Sequence, residues 1–509
     1  MIVVLIIVAL ALIGAPLFVI VGGATGAAFI EFTREIHSFG DLGAKLINPF
    51  ESLMGKDAFL AVPLFIASGA IMTEGGMARR LVDLARAALG WLPGGLGITA
   101  VFACMVFAAI TGSSPVTLIA VGSIMFPAMV RSGYPENFSL GLVMTAGSLG
   151  CLVMPSLILM IYALAVSMSA GGVESQDMFV ASFLPAVGVA AILCAYSVVV
   201  GLRHGKREQF DGKRLATAAR EGVWAMGLPV LVVVGIYTGE FPPFKAGAVA
   251  FVYALIVTTV IHRELGPRRV ITALANAGRL MGMLILIIAF TFGINKLVPL
   301  VGVEEKLTGF LTDNDIGPIG FMLLVNLFLI VVGALMDSVS ATLVFAPILA
   351  PIAVNTYGID PVHFGVVFVV NMEIGYLAPP VATNLFVAAA LFKKPFGQVS
   401  RAILPGLGLT TLALMIFIFV PTCSKGLVNL QRGDAFYESF PWDGTPQHAA
   451  KKATGADLGE ISEEASKEAI EQGKQLNEMG DDYYFQNDDE ANEADAGVEG
   501  EVDLEGVQL

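Results

Sequence analysis

Two short polar interruptions inside one apolar stretch hold the residues best placed to do chemistry. The first is Thr111-Gly112-Ser113-Ser114-Pro115, and the second runs from Gly147-Ser148-Leu149-Gly150 to Pro155-Ser156. Glycine and proline at such points free backbone carbonyls, which join the hydroxyls as neutral oxygens suited to a small cation, while the amides at a restarting helix suit an anion. The same set occurs twice. Moved 225 positions without a gap, Ser113 falls on Ser338, Thr117 on Thr342, Gly133 on Gly358, Gly150 on Gly375 and Pro155 on Pro380. The second copy adds two carboxyls in apolar surroundings, Asp337 and Glu373, and each is costly there unless paired or bound to a cation. Asn371 and Asn384 bracket the second break, where an amide can donate to a carboxylate, offer oxygen to an ion or join helices. His363 opens that segment and reads as interfacial.

Other chemistries lack residues. No GxSxG, HExxH, phosphate-loop or GxGxxG arrangement stands in a fitting context, so neither an embedded enzyme nor nucleotide hydrolysis is supported. Cys104, Cys151, Cys194 and Cys423 are scattered without metal-ligand spacing, and read as small core residues.

The elements that must position these residues are membrane helices. The chain has 509 residues, 56% of them hydrophobic and 14% charged, with a mean hydropathy of +0.78, beyond what soluble globular chains carry. Residues 423–509 hold 21 acidic and 6 basic groups, a net of −15, so the overall charge of −14 belongs to an acidic tail. The rest is near neutral and offers no basic face to nucleic acid.

Residues 1–21 form an uncharged apolar run of about bilayer length without the basic start of a secretory leader, and read as a retained first helix in a segment 1–57. A first repeat over 58–202 then comprises a span at 58–73, a surface arm over 77–90, a hairpin over 94–130, a helix over 138–166 broken at Gly150 to Pro155, and a span at 178–200. Between Gly94 and Val130 there are 37 residues, too many for one span and too few for two with a loop, so a re-entrant hairpin with its tip at Thr111 to Pro115 is expected. Segment 203–243 carries the largest basic cluster, from Arg203 to Arg220, and is cytoplasmic by the positive-inside rule. The second repeat, 244–422, has an arm over 302–312, a hairpin over 317–353 and a broken helix over 362–391. Ordinary spans are expected at 223–237, 247–261, 280–293 and 403–420. Counting crossings by loop charge alone puts the N-terminus inside, the tail outside, and the two repeats in inverted orientations. The tail itself is too poor in apolar anchors to pack and is expected to be disordered.

A broken apolar unit present twice in inverted orientations is the pattern of a secondary transporter with its site between the repeats. Packing by small residues explains the glycines of one copy but not of two. A non-transporting membrane scaffold remains as the bland alternative, and it gives no reason for breaks at the midplane.

The runs ITGSSPVTLIAVGSIMFPAMVRSGY (110–134), GSLGCLVMPS (147–156) and MDSVSATLVFAPILAPIAVNTYGIDPVHFGVVFVVNMEIGYLAPPVATNLFVA (336–388) resemble the large membrane subunit of TRAP transporters, the tripartite ATP-independent periplasmic class. The resemblance spans roughly residues 1–420. Ala378 and Ala382 stand where many members carry Thr and Gly. It implies an all-helical polytopic protein of the bacterial inner membrane with an elevator-type, ion-transporter-superfamily-like fold. It also implies Na+-driven import of a small organic anion, a carboxylate or sulfonate, delivered by a soluble periplasmic binding protein, together with a separate small four-helix membrane subunit. No cofactor is implied beyond Na+ as coupling ion. One Na+ would sit at Gly112, Ser113, Ser114 and Thr117 with Gly150 and Pro155. A second would sit at Asp337, Ser338, Ser340 and Thr342 with Gly375 and Pro380. Ser114, Ser156, Ser340, Asn371, Thr383 and Asn384 would bind substrate between the tips. A stand-alone Na+/dicarboxylate symporter of similar inverted architecture is the competing expectation, and it would need no binding protein.

Overall fold

The structure is a computed structural model that describes residues 17–32, 57–166, 173–205, 208–379 and 382–441, with isolated positions before residue 14. Regular structure among the described residues is entirely helical. Eight of those helices are long and apolar enough to cross a bilayer, nine if the bent pair α2 and α3 defined below is one span, as expected of a multi-span membrane protein.

The first unit begins with α2 (Asp57–Glu74), which turns by 72° into the amphipathic α3 (Met77–Leu89). The hairpin follows as α4 (Gly95–Thr111) and α5 (Ser114–Arg131), the latter widened through one π-helical turn. Then come α6 (Glu136–Ser148), a single 3-10 turn at Leu149–Cys151, and α7 (Leu157–Val166). The second unit repeats this order as α12 (Val303–Asp313), the hairpin α13 (Pro318–Leu335) and α14 (Ser338–Asn355), and the pair α15 (Pro361–Gly375) and α16 (Thr383–Phe392). Local chemistry ends these helices at matching points. Gly133 and Gly358, 225 positions apart, both adopt left-handed backbone, φ 91 and 65, in the turns after α5 and α14. Asp360 caps α15 by accepting from the amides of Val362 at 2.8 Å and His363 at 3.1 Å.

Helix α8 (Ser175–His204) packs along α4, and α17 (Phe396–Phe419) along α6, around the paired units, where α7 lies on α14 and α15 on both α13 and α14. A second group comprises α1 (Leu17–Phe32), α2, α9 (Gly212–Tyr237), α10 (Pro243–Ile261) and α11 (Pro267–Val301). In it α10 runs along α2, and α11 crosses α1 and α2. The groups meet where α2 touches α4 and α7, and where α11 touches α14. Arm α3 is fixed to the loops of the second group: Arg80 meets Glu264 at 2.5 and 3.0 Å, and Arg86 pairs with Glu208, which also holds Arg214 at 3.2 Å. Partly exposed pairs of this kind contribute up to ~1 kcal/mol each, so they orient the arm more than they stabilise it.

Several helices begin or end outside the apolar runs that announce them. The first helix continues past Val21 to Phe32, because the small residues there form a packing face; a Cβ on Gly22 would lie 2.8 Å from the Phe290 ring of α11. Helix α9 starts at Gly212 within the basic loop, capped by Asp211, which accepts from Lys213 N at 2.9 Å. Helix α11 starts at Pro267 instead of Leu280, and its 35 residues span ~50 Å against ~30 Å of hydrocarbon. Hydropathy marks where a helix lies in lipid, and these helices extend beyond it.

The acidic tail also begins later than the composition implies. Residues 423–441, read from sequence as its start, are folded: α18 (Thr422–Arg432) packs on α8 and α15, and Phe440 is 2% exposed with its ring 5.8 Å from that of Phe419. Lys425 Nζ lies 2.7 Å from Asp360 Oδ2 and 3.1 Å from Glu438 Oε2, with Lys425 and Asp360 buried and Glu438 partly so, and Asn429 donates to the same Glu438 oxygen at 2.9 Å. Arg432 reaches Asp177 at 2.5 Å. The net charge hid these pairings because the partners lie far away in sequence. The unit formed by residues 447–509 falls outside the described residues.

Burial alone would lower the Lys425 pKa, and the carboxylates of Asp360 and Glu438 outweigh it, holding the amine above its ordinary range. That stabilisation is therefore present at neutral pH and is lost only as pH rises through the raised lysine value. Lys425→Ala leaves the buried Asp360 and partly buried Glu438 carboxylates facing each other, with an expected cost of about 3 kcal/mol at neutral pH. Adding Asp360→Asn, which keeps the cap, and Glu438→Gln should restore part of it. Thermal unfolding in detergent checks this; an unchanged midpoint for Lys425→Ala would show that the cluster does not hold the C-terminal helix in place.

Candidate functional site

Both hairpin tips are stitched by the same bond. Thr117 Oγ1 donates to the Ser113 carbonyl at 2.8 Å, and its counterpart Thr342 Oγ1 donates to the Ser338 carbonyl at 2.6 Å. Each closes the first turn of the returning helix, so these threonine protons are engaged and only oxygen lone pairs remain. Thr111 Oγ1 adds a contact to Thr117 Oγ1 at 3.0 Å.

The tips differ at one position. In the first, Gly112 is left-handed at φ 59, and a Cβ there would lie 3.1 Å from the Pro155 carbonyl of the neighbouring break. Ser113, at the cap position of α5, makes no side-chain cap, and its own amide donates to Thr111 Oγ1 at 3.4 Å. In the second, the residue equivalent to Gly112 is Asp337, whose Oδ2 accepts from Ser340 N at 3.0 Å and caps α14. One tip presents open amides, the other a carboxylate.

The breaks close onto the hairpins through backbone. Gly150 lies against Ser113 and Ser114, where a Cβ would come within 3.2 Å of their backbone. Gly375 lies against Gly333 of α13, where a Cβ would come within 2.6 Å of the Gly333 Cα. Ser156 is occupied with the break itself: its hydroxyl donates to the Cys151 carbonyl at 2.6 Å and accepts from Leu159 N at 3.5 Å. Asn384 Nδ2 donates to Ser114 Oγ at 2.6 Å, which ties α16 to the first tip. Asn371 donates to Asn326 of α13, whose own amide donates to the Met322 carbonyl at 2.5 Å. Pro380 and the side chain of Thr383 lie outside the described residues.

A cleft of about 420 Å³ brings the two tips together. Thr111, Gly112 and Ser113 line it beside Asp337, with α2 and α11 forming the opposite wall. Gly69 of α2 lets the wall touch the tip, since a Cβ there would lie 3.0 Å from the Thr111 Cα. Asn371, Asn384 and Ser156, expected to bind substrate, are not among its lining residues; they join helices or cap the break. Glu74 and Asn276 do line it. The sequence reading passed over both, because Glu74 ends a span and Asn276 precedes Leu280, where hydropathy placed the start of α11.

Several buried oxygens have no hydrogen-bond partner: Ser338 Oγ and Ser340 Oγ at the second tip, Asn371 Oδ1 on α15, and Asn384 Oδ1 beside the first tip. Leaving such atoms unpaired costs about 1–3 kcal/mol each, so they mark where a ligand, ion or water would be stabilising. They are hard oxygens, the kind an alkali cation takes. No cluster of three His, Cys, Asp or Glu side chains occurs among the described residues.

The glycine contacts give an ordered expectation. Gly375→Ala drives a methyl into backbone that cannot yield and should cost about 1–3 kcal/mol with loss of function. Gly150→Ala, whose neighbours need give only a few tenths of an ångström, should be milder in both respects. Unfolding midpoints of the two purified variants check this, and equal midpoints would mean that the close approach is not what holds the break.

Comparison with known proteins gives one consistent answer. The family described as "Tripartite ATP-independent periplasmic transporter, DctM component" matches residues 4–423. The chain is 39% identical to the C4-dicarboxylate TRAP transporter large permease protein DctM of Pseudomonas aeruginosa, over 73% of this chain and 86% of that protein. It is 35% identical to the isethionate TRAP transporter permease protein DctMQ of Oleidesulfovibrio alaskensis, over 71% of this chain and 56% of that one, and 28% identical to an ectoine/5-hydroxyectoine TRAP large permease of Ruegeria pomeroyi, over 83% and 96%. In fold it resembles the crystal structure of the Alcanivorax borkumensis YdaH transporter, described as having an unusual topology, at a TM-score of 0.55 and 14% identity over 83% of this chain and 98% of that one. With the paired hairpins and breaks in place and the family matched along nearly the whole folded part, this chain belongs to the tripartite ATP-independent periplasmic transporters as a DctM-type large permease.

Proposed function

We propose that this permease imports a small organic anion coupled to Na+, by movement of the hairpin-bearing helices against the group formed by α1, α2, α9, α10 and α11. The observation that carries the reading is the charge of the cleft. Among the described residues its lining includes the carboxyls of Asp337 and Glu74 and no lysine or arginine, so an anion entering alone would meet repulsion. A bound cation removes it. The tips divide the work: the open amides at the start of α5 favour the substrate carboxylate, and Asp337 with the oxygens of Ser338 and Ser340 favours Na+. A second Na+ is assigned to the carbonyls and hydroxyls at Gly112, Ser113 and Ser114 beside Gly150 and Pro155.

Among substrates, a C4-dicarboxylate is favoured, because the relative named for it is more similar than those named for isethionate or ectoine. A soluble binding protein delivers it, and a separate small four-helix membrane subunit completes the complex. Loop charge supports a cytoplasmic N-terminus, an external residue 423 and repeats of opposite orientation.

Asp337→Asn tests the division, because asparagine also caps a helix and the fold is kept. Uptake into proteoliposomes supplied with both partners should fall about tenfold or more, the equivalent of ~1.4 kcal/mol, at an unchanged unfolding midpoint. Ser113→Ala and Ser338→Ala should each raise the Na+ concentration for half-maximal uptake. Wild-type uptake by Asp337→Asn would exclude it as a cation ligand, and uptake independent of the binding protein would favour a stand-alone symporter.

A further inference from the structure

One buried carboxyl stands apart from the cleft. Glu373, 1% exposed at the end of α15, has Oε1 2.7 Å from Ser148 Oγ, and its Oε2 has no partner. Ser148 is its equivalent under the 225-residue repeat, so the two copies of this position touch. Equivalent residues meet in this way at the axis that relates two copies.

The proton inventory decides the state of the pair. Ser148 Oγ also lies 2.8 Å from the Thr145 carbonyl, so one hydroxyl proton faces two acceptors. With Glu373 ionised, one acceptor goes unserved and a bare charge is buried. With Glu373 protonated the chain closes: the carboxyl donates to Ser148 Oγ, and Ser148 donates to the Thr145 carbonyl. A metal ion would need several oxygen ligands around it, and Glu373 belongs to no cluster of three His, Cys, Asp or Glu side chains among the described residues. A proton needs only the one carboxyl.

Among the described residues the surroundings supply no other charge. Helices α13 and α14 carry no titratable side chain beyond the Asp337 cap. Tyr162, Asp177, His363 and Lys425, on elements packed around α15, are engaged at its opposite end with Pro361, Arg432, Ser424 and Asp360. Arg401 of α17 is exposed. Cys151, in the turn between α6 and α7, and Tyr376, directly after α15, are the remaining titratable side chains in the breaks beside it.

We propose that Glu373 and Ser148 form a proton-binding site on the axis between the repeats, and that the hairpin-bearing helices move only while the proton is in place. This rests on the transport reading for its consequence but not for its chemistry. An ionised Glu373 would place a negative charge in the moving part, where the membrane potential acts on it; protonation removes that charge.

The test has two arms. Infrared spectra of the intact chain in lipid, with glutamate carboxyls labelled with carbon-13, should show a label-shifted protonated carboxyl band at about pH 8, where exposed carboxyls are ionised. The band should be absent in Glu373→Gln and bleach at higher pH. In uptake with both partners at fixed Na+, the wild type should decline as pH rises through the same range, while Glu373→Gln, neutral throughout, should keep its uptake and lose that decline. No such band in the wild type overturns the proposal, and that arm holds even if Glu373→Gln fails to insert. A folded Glu373→Gln that is inactive at every pH, or that declines like the wild type, also overturns it. A titrating band in a wild type without uptake would instead overturn the transport reading while leaving the proton site standing.

Discussion

A hydrocarbon core cannot solvate backbone amides and carbonyls, and this chain interrupts four of its helices there. The rest of the structure follows from satisfying those interruptions. Thr117 and Thr342 close the returning turns, Asp337 caps one of them, and Ser156 bridges the broken segment. Gly150 and Gly375 then let each break lie directly on a hairpin, which replaces lipid with protein around the exposed backbone. What these devices leave unpaired, the open start of α5 and the oxygens of Ser338 and Ser340, is what remains for a ligand.

The repeat made the site legible without a structure. Two copies of the same Gly, Ser and Thr spacing act as their own comparison, so residues shared by both stand out from ordinary packing. Residues that occur in only one copy were harder to place. Asn371 and Asn384 carry the right groups for a substrate, but their amides join α15 to α13 and α16 to α5, and only neighbours in space reveal that. The wall of α2 and α11 was missed for a related reason: Glu74 and Asn276 lie where hydropathy ends a span, though the helices continue. The Lys425 cluster could not be read at all, because Asp360 and Glu438 meet it only through the fold.

Replacing Gly112 by its repeat counterpart Asp337 is the difference on which the proposed division of roles between the tips rests. A symmetric pair of open helix starts would attract anions alone, and a symmetric pair of capping carboxylates would repel them. One of each faces a single cleft with no basic side chain among its described lining residues, which is the arrangement the proposed coupling of anion and cation draws on. Glu373 stands elsewhere: it meets its repeat counterpart Ser148 away from the cleft lining, and the proposed proton site concerns the helices as a block instead of the cleft.

The central claim is that the hairpins move against α2 and α11. In a chain whose Cys104, Cys151, Cys194 and Cys423 are replaced by alanine, Val116→Cys of α5 and Ala277→Cys of α11 place one thiol on each side of the cleft. A reducible bifunctional reagent joining them in the assembled transporter should stop uptake, and reduction should restore it. Bridged protein that imports at the rate of unbridged protein would contradict a moving hairpin block.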